Sequence, residues 1–140
     1  MRFLMTVRAT KDSESGVMPD EKLISAMMRY NEELTKAGVL IDLSGMQPSS
    51  KGARVKFSGG KVTVAEGPFP DTGIAGYWLI KVNSKAEAIE WAKCAPAPFG
   101  DKGGEIELRQ LFEMEDFDVS DETRTQGRKL EKELKRANSE

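Results

Sequence analysis

The chain has 140 residues, 39% hydrophobic and 31% charged, with 21 basic and 23 acidic side chains and a formal net charge of −2. That size and balance fit one soluble globular domain able to bury a core without staples, and they supply no bulk positive field for general nucleic-acid binding. Histidine is absent and Cys94 is the sole cysteine, which excludes Ser-His-Asp and Cys-His catalysis, histidine or cysteine-rich metal centres and an internal disulfide.

Acid–base chemistry therefore falls to carboxylates, tyrosine, lysine or a bound cofactor, and nothing in the residues asks for a metal or cofactor. No apolar run approaches the ~20 residues that span a bilayer. The start, Met1 to Arg8, is too short and too charged for a secretory signal. The expectation is a cytoplasmic protein with no membrane segment.

Arg2 to Arg8 alternates, with Phe3, Met5 and Val7 on one side and Leu4, Thr6 and Arg8 on the other, which predicts a strand. Residues 9–18 are polar and read as a loop. Pro19 then suits a helix's first turn, with Asp20 and Glu21 at the positive end of the dipole. Leu23, Ile24, Met27, Met28, Asn31 and Leu34 recur at helical spacing, and Ala37-Gly38 supplies the stop.

Val39 to Leu43 predicts a second strand, broken by Gly45 and Pro48. Arg54 to Phe57 and Lys61 to Val64, joined through Ser58-Gly59-Gly60, predict a hairpin whose glycines permit the positive φ of a tight turn. A stiff turn follows, Ala65-Glu66-Gly67-Pro68-Phe69-Pro70-Asp71-Thr72-Gly73, leading into a strand over Ile74–Val82. Ser84 and Glu87 have capping-box spacing and open a helix running to about Cys94, ended by Pro96 and Pro98. Glu105 to Phe112 alternates as a last strand, with Ile106 and Leu108 opposite Glu105, Glu107 and Arg109.

From Glu113 onward charges dominate. Ser120 suits an N-cap, acids come early and bases late, and Leu130 and Leu134 lie one turn apart. A helix is predicted over this tail, one unable to stand on its own burial. The expected division is a domain over 1–113 and a charged, helical tail over 114–140.

The order is β-α-β, hairpin, β-α-β: an α+β, ferredoxin-like pattern with an antiparallel sheet and both helices on one face. The other face mixes Leu4, Leu40 and Leu79 with Arg8, Asp42, Tyr77, Lys81, Glu107 and Arg109. A merely solvated face has no use for those leucines. A second copy covering it and enclosing a partly polar space is the expected arrangement.

With these residues placed, the chain resembles the YCII-related (DGPF domain) family of the dimeric α/β-barrel superfamily. The resemblance runs from about residue 1 to 113. It is carried by Tyr30-Asn31-Glu32-Glu33-Leu34 with Ala37-Gly38, then Gly45-Met46-Gln47-Pro48, Glu66-Gly67-Pro68-Phe69 and Gly76-Tyr77-Trp78. Glu87-Ala88-Ile89-Glu90-Trp91-Ala92 and Gly104-Glu105-Ile106-Glu107-Leu108-Arg109 complete it. The resemblance implies a ferredoxin-like fold and a homodimer whose sheets pack into a barrel-like arrangement. Glu66 stands where the family's naming motif has Asp, lengthening the carboxylate by one methylene. A His–Asp pair proposed as catalytic in some relatives has no histidine here to work with.

The candidate ligand-binding residues are Arg8, Asp42, Glu66, Phe69, Tyr77 and Arg109. Glu66 and Phe69 suit a pocket lip, as polar anchor and apolar wall, or else a purely structural turn. Arg8 and Arg109 offer planar forks for a ligand carboxylate or phosphate, or else pair with Glu105, Glu107 or Asp42. Asp42 and Tyr77 suit an acid–base pair only if the tyrosine's acidity is strongly shifted.

Tyr30 and Asn31 are expected to satisfy neighbouring backbone, Trp78 and Trp91 to lie in the core, and the methionines, Met27 and Met28 included, to fill it. Cys94 ends a helix, where the dipole raises a thiol's pKa, so it is not expected to be a nucleophile. Neither Ser58-Gly59-Gly60 nor Lys102-Gly103-Gly104 has the surroundings of a phosphate loop.

The expected function is a homodimeric small-molecule-binding module with its pocket on the open sheet face near the Glu66–Phe69 turn. Two alternatives stand beside it: a small histidine-independent enzyme of lyase, isomerase or cofactor-free oxygenase type, and a regulatory protein docking through its tail helix.

Overall fold

The computed structural model describes residues 1–71 and 73–139; Thr72 of the turn and Glu140 at the end of the tail lie outside the described residues. The chain divides into two units, Met1–Gln110 and Leu111–Glu140. In the first, β1 (Arg2–Arg8), α1 (Lys11–Glu14), α2 (Glu21–Lys36) and β2 (Leu40–Gly45) precede a hairpin of β3 (Ala53–Ser58) and β4 (Lys61–Glu66). Then come β5 (Ile74–Lys81), α3 (Lys85–Cys94) and β6 (Ile106–Gln110).

Four strands form an antiparallel sheet in the order β2-β5-β1-β6, and β3-β4 is a sheet of its own. With β5 running antiparallel between β1 and β2, this is the ferredoxin-like arrangement, α+β and antiparallel throughout. Alternation sets the faces. Phe3, Met5 and Val7 of β1 register with Ile80, Trp78 and Gly76 of β5, and Met5 and Val7 also with Leu108 and Ile106 of β6. Onto this face pack Tyr30 and Leu34 of α2 and Ala88 of α3. Met5, Leu34 and Ile80 are fully buried, each burial worth ~1.5–3 kcal/mol.

Helix α2 starts where Asp20 accepts from the Leu23 N–H at 2.8 Å. The N-cap is thus Asp20, and Pro19 precedes it instead of sitting in the first turn. Tyr30 Oη donates to the Trp91 carbonyl at 2.6 Å, and Trp78 Nε1 donates to Asn31 Oδ1 at 2.7 Å. Tyr30 therefore satisfies backbone, as expected, whereas Asn31 serves an indole. The Tyr30 ring also meets Trp78 edge-on, with centroids 5.5 Å apart.

Several expectations need correction. Leu40 does not belong to the open face. It registers with buried Ile80 and packs on the core, because a shift between Leu40 and Asp42 leaves Ile41 out of the pairing and reverses the alternation. The buried stripe of α2 passes through Leu23, Met27, Tyr30 and Leu34, while Met28 is 61% exposed, so it does not fill the core. Residues 11–14 are helical, not loop: Thr10 and Ser13 close a reciprocal capping box. At α3, Glu87 N–H donates to Ser84 Oγ, but the Glu87 carboxylate accepts from the Asn83 N–H, one residue further back than the usual box.

In the hairpin, Gly59 and Gly60 both have positive φ, 56° and 78°, the conformation that tight two-residue turns require. Every hairpin residue is exposed.

In the second unit, α4 (Asp121–Asn138) follows a 3₁₀ turn at Met114–Asp116. Ser120 Oγ accepts from the Thr123 N–H, and no α4 residue is buried. Leu130 and Leu134 are exposed. Met114 closes on Gly127, where a β-carbon would come within 1.9 Å of its terminal methyl. Arg124 Nη2 donates to the Phe117 carbonyl at 3.1 Å.

Candidate functional site

The turn after β4 is tied down along its length. The Gly67 N–H donates to the Gly52 carbonyl at 3.0 Å, and the Gly67–Pro68 peptide is cis. Gly67 passes so close to the Ser49 backbone that an added β-carbon would lie 1.8 Å from its carbonyl oxygen. Only glycine permits that approach. Two residues on, the Phe69 N–H donates to Ser49 Oγ at 3.0 Å. The Ser49 hydroxyl in turn donates to Glu14, whose two oxygens also accept from the Ser49 N–H at 3.2 and 3.3 Å. A carboxylate of α1 thereby holds the 3₁₀ turn Ser49–Lys51, on which the Gly-Pro turn rests.

Arg54, near the root of β3, completes the assembly. Its Nη2 donates to Asp71 Oδ2 at 2.7 Å, and its guanidinium carbon lies 4.0 Å from the centre of the Phe69 ring. The hydrogen bond from Arg54, with help from Asp71's own backbone, lowers the Asp71 carboxyl below its ordinary range. The same bond raises the Arg54 guanidinium. Stacking on an aromatic face and a carboxylate at the edge both orient a guanidinium, here that of an exposed side chain.

Beside this assembly opens a cleft of about 440 Å³, bounded by Met46, Pro48, Lys51, Arg54, Phe69 and Ile74, with Gln47 and Glu14 also on its wall. That volume falls within the range of small-molecule sites. A second cleft, of about 340 Å³, lies between α3 and β6 and is walled mainly by apolar groups, among them Ile89, Pro96, Pro98 and Leu108.

The remaining sequence candidates are on the open sheet face and elsewhere. Tyr77 Oη donates to Asp42 Oδ2 at 3.0 Å, a bond that stabilises the neutral phenol and raises the Tyr77 pKa, with some desolvation adding to it. The pair exists, but its shift keeps the phenol protonated. Arg109 Nη2 pairs with Glu107 at 3.2 Å and Arg8 Nη1 with Glu105 at 3.5 Å. Both are exposed contacts of the kind worth at most ~1 kcal/mol. Glu66 ends β4, exposed, opposite Ala53.

The fold thus joins Asp42 to Tyr77 and builds Phe69 into the cleft wall. Arg8 and Arg109 pair with glutamates instead, and Glu66 does not line the cleft. Four residues that assemble the site, Glu14, Ser49, Arg54 and Asp71, escaped sequence reasoning. Arg54 and Asp71 do carry one signal, opposite charges at the two ends of the hairpin-and-turn segment. Among the described residues no group of three or more Asp, Glu or Cys is placed to hold a metal ion, and no helix is long and apolar enough to cross a membrane.

The family model described as YCII-related domain matches residues 1–115. An uncharacterized protein of Rhizobium meliloti (strain 1021) is 28% identical over 76 residues, covering 53% of this chain. The aligned stretch spans 61% of that relative's length.

Proposed function

The chain belongs to the YCII-related domain family, and on that premise we propose that it is a cytoplasmic homodimeric module that binds a small molecule at the Glu66–Phe69 turn. The observation that carries this reading is the cleft of about 440 Å³ whose wall is the braced Phe69–Arg54 pair. A stiffened wall loses little entropy on binding, which favours recognition.

Dimerisation draws its support from uncovered apolar surface. Val55 registers with Val64 and Phe57 with Val62, so all four share one hairpin face. They are 53%, 64%, 76% and 61% exposed. An isolated two-stranded hairpin is marginally stable in water, and an apolar strip of this kind calls for a partner; a second copy is the economical one. Light scattering at micromolar concentration is expected to give twice the chain mass, and Phe57→Ser to shift the protein toward monomer. A monomeric wild type would end the homodimer reading. For the ligand, crystals soaked with mixed small metabolites are expected to show density against Phe69.

One observation favours a second reading. The 3.0 Å contact from Tyr77 to Asp42 sets two titratable groups side by side, an arrangement that a histidine-independent lyase or isomerase would use only if bound substrate reversed the upward shift of Tyr77. Turnover abolished by both Tyr77→Phe and Asp42→Asn, with binding intact, would select it. The exposed Leu130 and Leu134 of α4 are what a regulatory docking helix would present.

A further inference from the structure

We infer that the cleft at the turn selects a small organic carboxylate, an apolar body carrying one planar anionic head; this rests on the binding-module reading above and adds the ligand's class. The walls supplied by Met46, Pro48, Phe69 and Ile74 are apolar, and of the polar side chains Lys51 and Arg54 only donate while Gln47 both donates and accepts. Lys51 has no carboxylate partner among the described residues. Arg54 spends Nη2 on Asp71 and keeps its remaining N–H groups. Glu14 is the one acid on the wall, and its two oxygens already accept from both donors of Ser49.

Donors without a matching acceptor ask for a ligand that accepts only. An ionised carboxylate does so through two coplanar oxygens, the geometry a guanidinium fork complements. Arg54 is held in advance: Phe69 supports one face of its plane and Asp71 one edge. Arg54 and Lys51 both line the cleft. A free cation is repelled by the Lys51 ammonium, and a neutral amide leaves that charge without a partner. Inorganic phosphate meets the same donors but brings no apolar body to these walls.

The test is a titration of the full chain followed by amide NMR, using benzoate, benzamide, benzylammonium and inorganic phosphate as probes. Benzoate is expected to shift the amides of Lys51, Arg54 and Phe69 and to bind at least about fivefold more tightly than benzamide. Lys51→Met should weaken benzoate by about tenfold, the scale of one charge-assisted hydrogen bond, and leave benzamide unchanged. Benzamide equal to benzoate, or benzylammonium or phosphate binding more tightly, overturns the ligand class while the pocket stands. If no probe moves these amides at millimolar concentration in folded protein, the pocket reading falls and the inference with it.

Discussion

The guanidinium carbon of Arg54 stands 4.0 Å above the centre of the Phe69 ring while its Nη2 reaches Asp71 at 2.7 Å. One side chain from the root of β3 thereby grips two points on the turn that follows β4. The hairpin and the turn are closed into one loop by a contact between residues 17 apart, and Arg54 and Phe69 of that loop line the cleft.

The Asp71 carboxyl, lowered chiefly by the Arg54 hydrogen bond, should titrate below its ordinary value of 3.8 when followed by NMR. A depressed acid stabilises the fold above its unfolded pKa, and the contribution is lost as pH falls through the folded value. Arg54→Met should return Asp71 toward 3.8, and raised salt should do part of the same because the pair is exposed. An Asp71 titration indifferent to Arg54 would remove the brace from the account.

Both tyrosines should resist ionisation. Tyr77 is raised first by donating to Asp42, and Tyr30 is raised first by burial. A raised phenol pKa contributes stability below the unfolded value of 10.0 that is lost as pH climbs through the folded value. Ultraviolet titration should show no tyrosinate step at 10.0, and Asp42→Asn should move only the Tyr77 step downward.

Gly67→Ala should destabilise the protein by roughly 1–3 kcal/mol in urea unfolding, because the new methyl would fall 1.8 Å from the Ser49 carbonyl oxygen. Gly45→Ala is the control: its β-carbon meets nothing within 4 Å, and the change should stay within ~0.5 kcal/mol. Equal effects at the two sites would mean that the Gly67–Ser49 approach is relaxed in solution.

Helix α2 offers a test of which stripe is buried. Leu34→Ala should cost ~2–5 kcal/mol, since Leu34 is fully buried. Met28→Ala should cost within ~0.5 kcal/mol, despite the shared hydrophobic pattern. Tyr30→Phe should cost ~1–3 kcal/mol by leaving the Trp91 carbonyl without its donor. The same urea series reads all three.

Much of this protein is written locally. Alternation in Arg2–Arg8, Gly59-Gly60 in the hairpin and Ser84 before α3 determined elements that the structure reproduces. The reason is that each rests on side-chain period or on backbone bonds a few residues apart. The absent histidines constrained the chemistry before any coordinates. One local slip, the Leu40–Asp42 shift in β2, was enough to move Leu40 from one face to the other, and no periodic signal announces a bulge.

The cleft belongs to the tertiary structure alone. Ser49 meets Glu14 from 35 residues away and Phe69 from 20, and Arg54 meets Asp71 from 17. Apart from the opposite charges of Arg54 and Asp71, nothing in the neighbourhood of these residues marks a partner, because which side chains meet across such spans depends on the path of the backbone between them. The chain's own letters therefore determined the strands, the caps and the missing imidazole. The placement of Phe69 beneath Arg54, and with it the wall of the site, was decided by where the folded backbone brought the turn to rest.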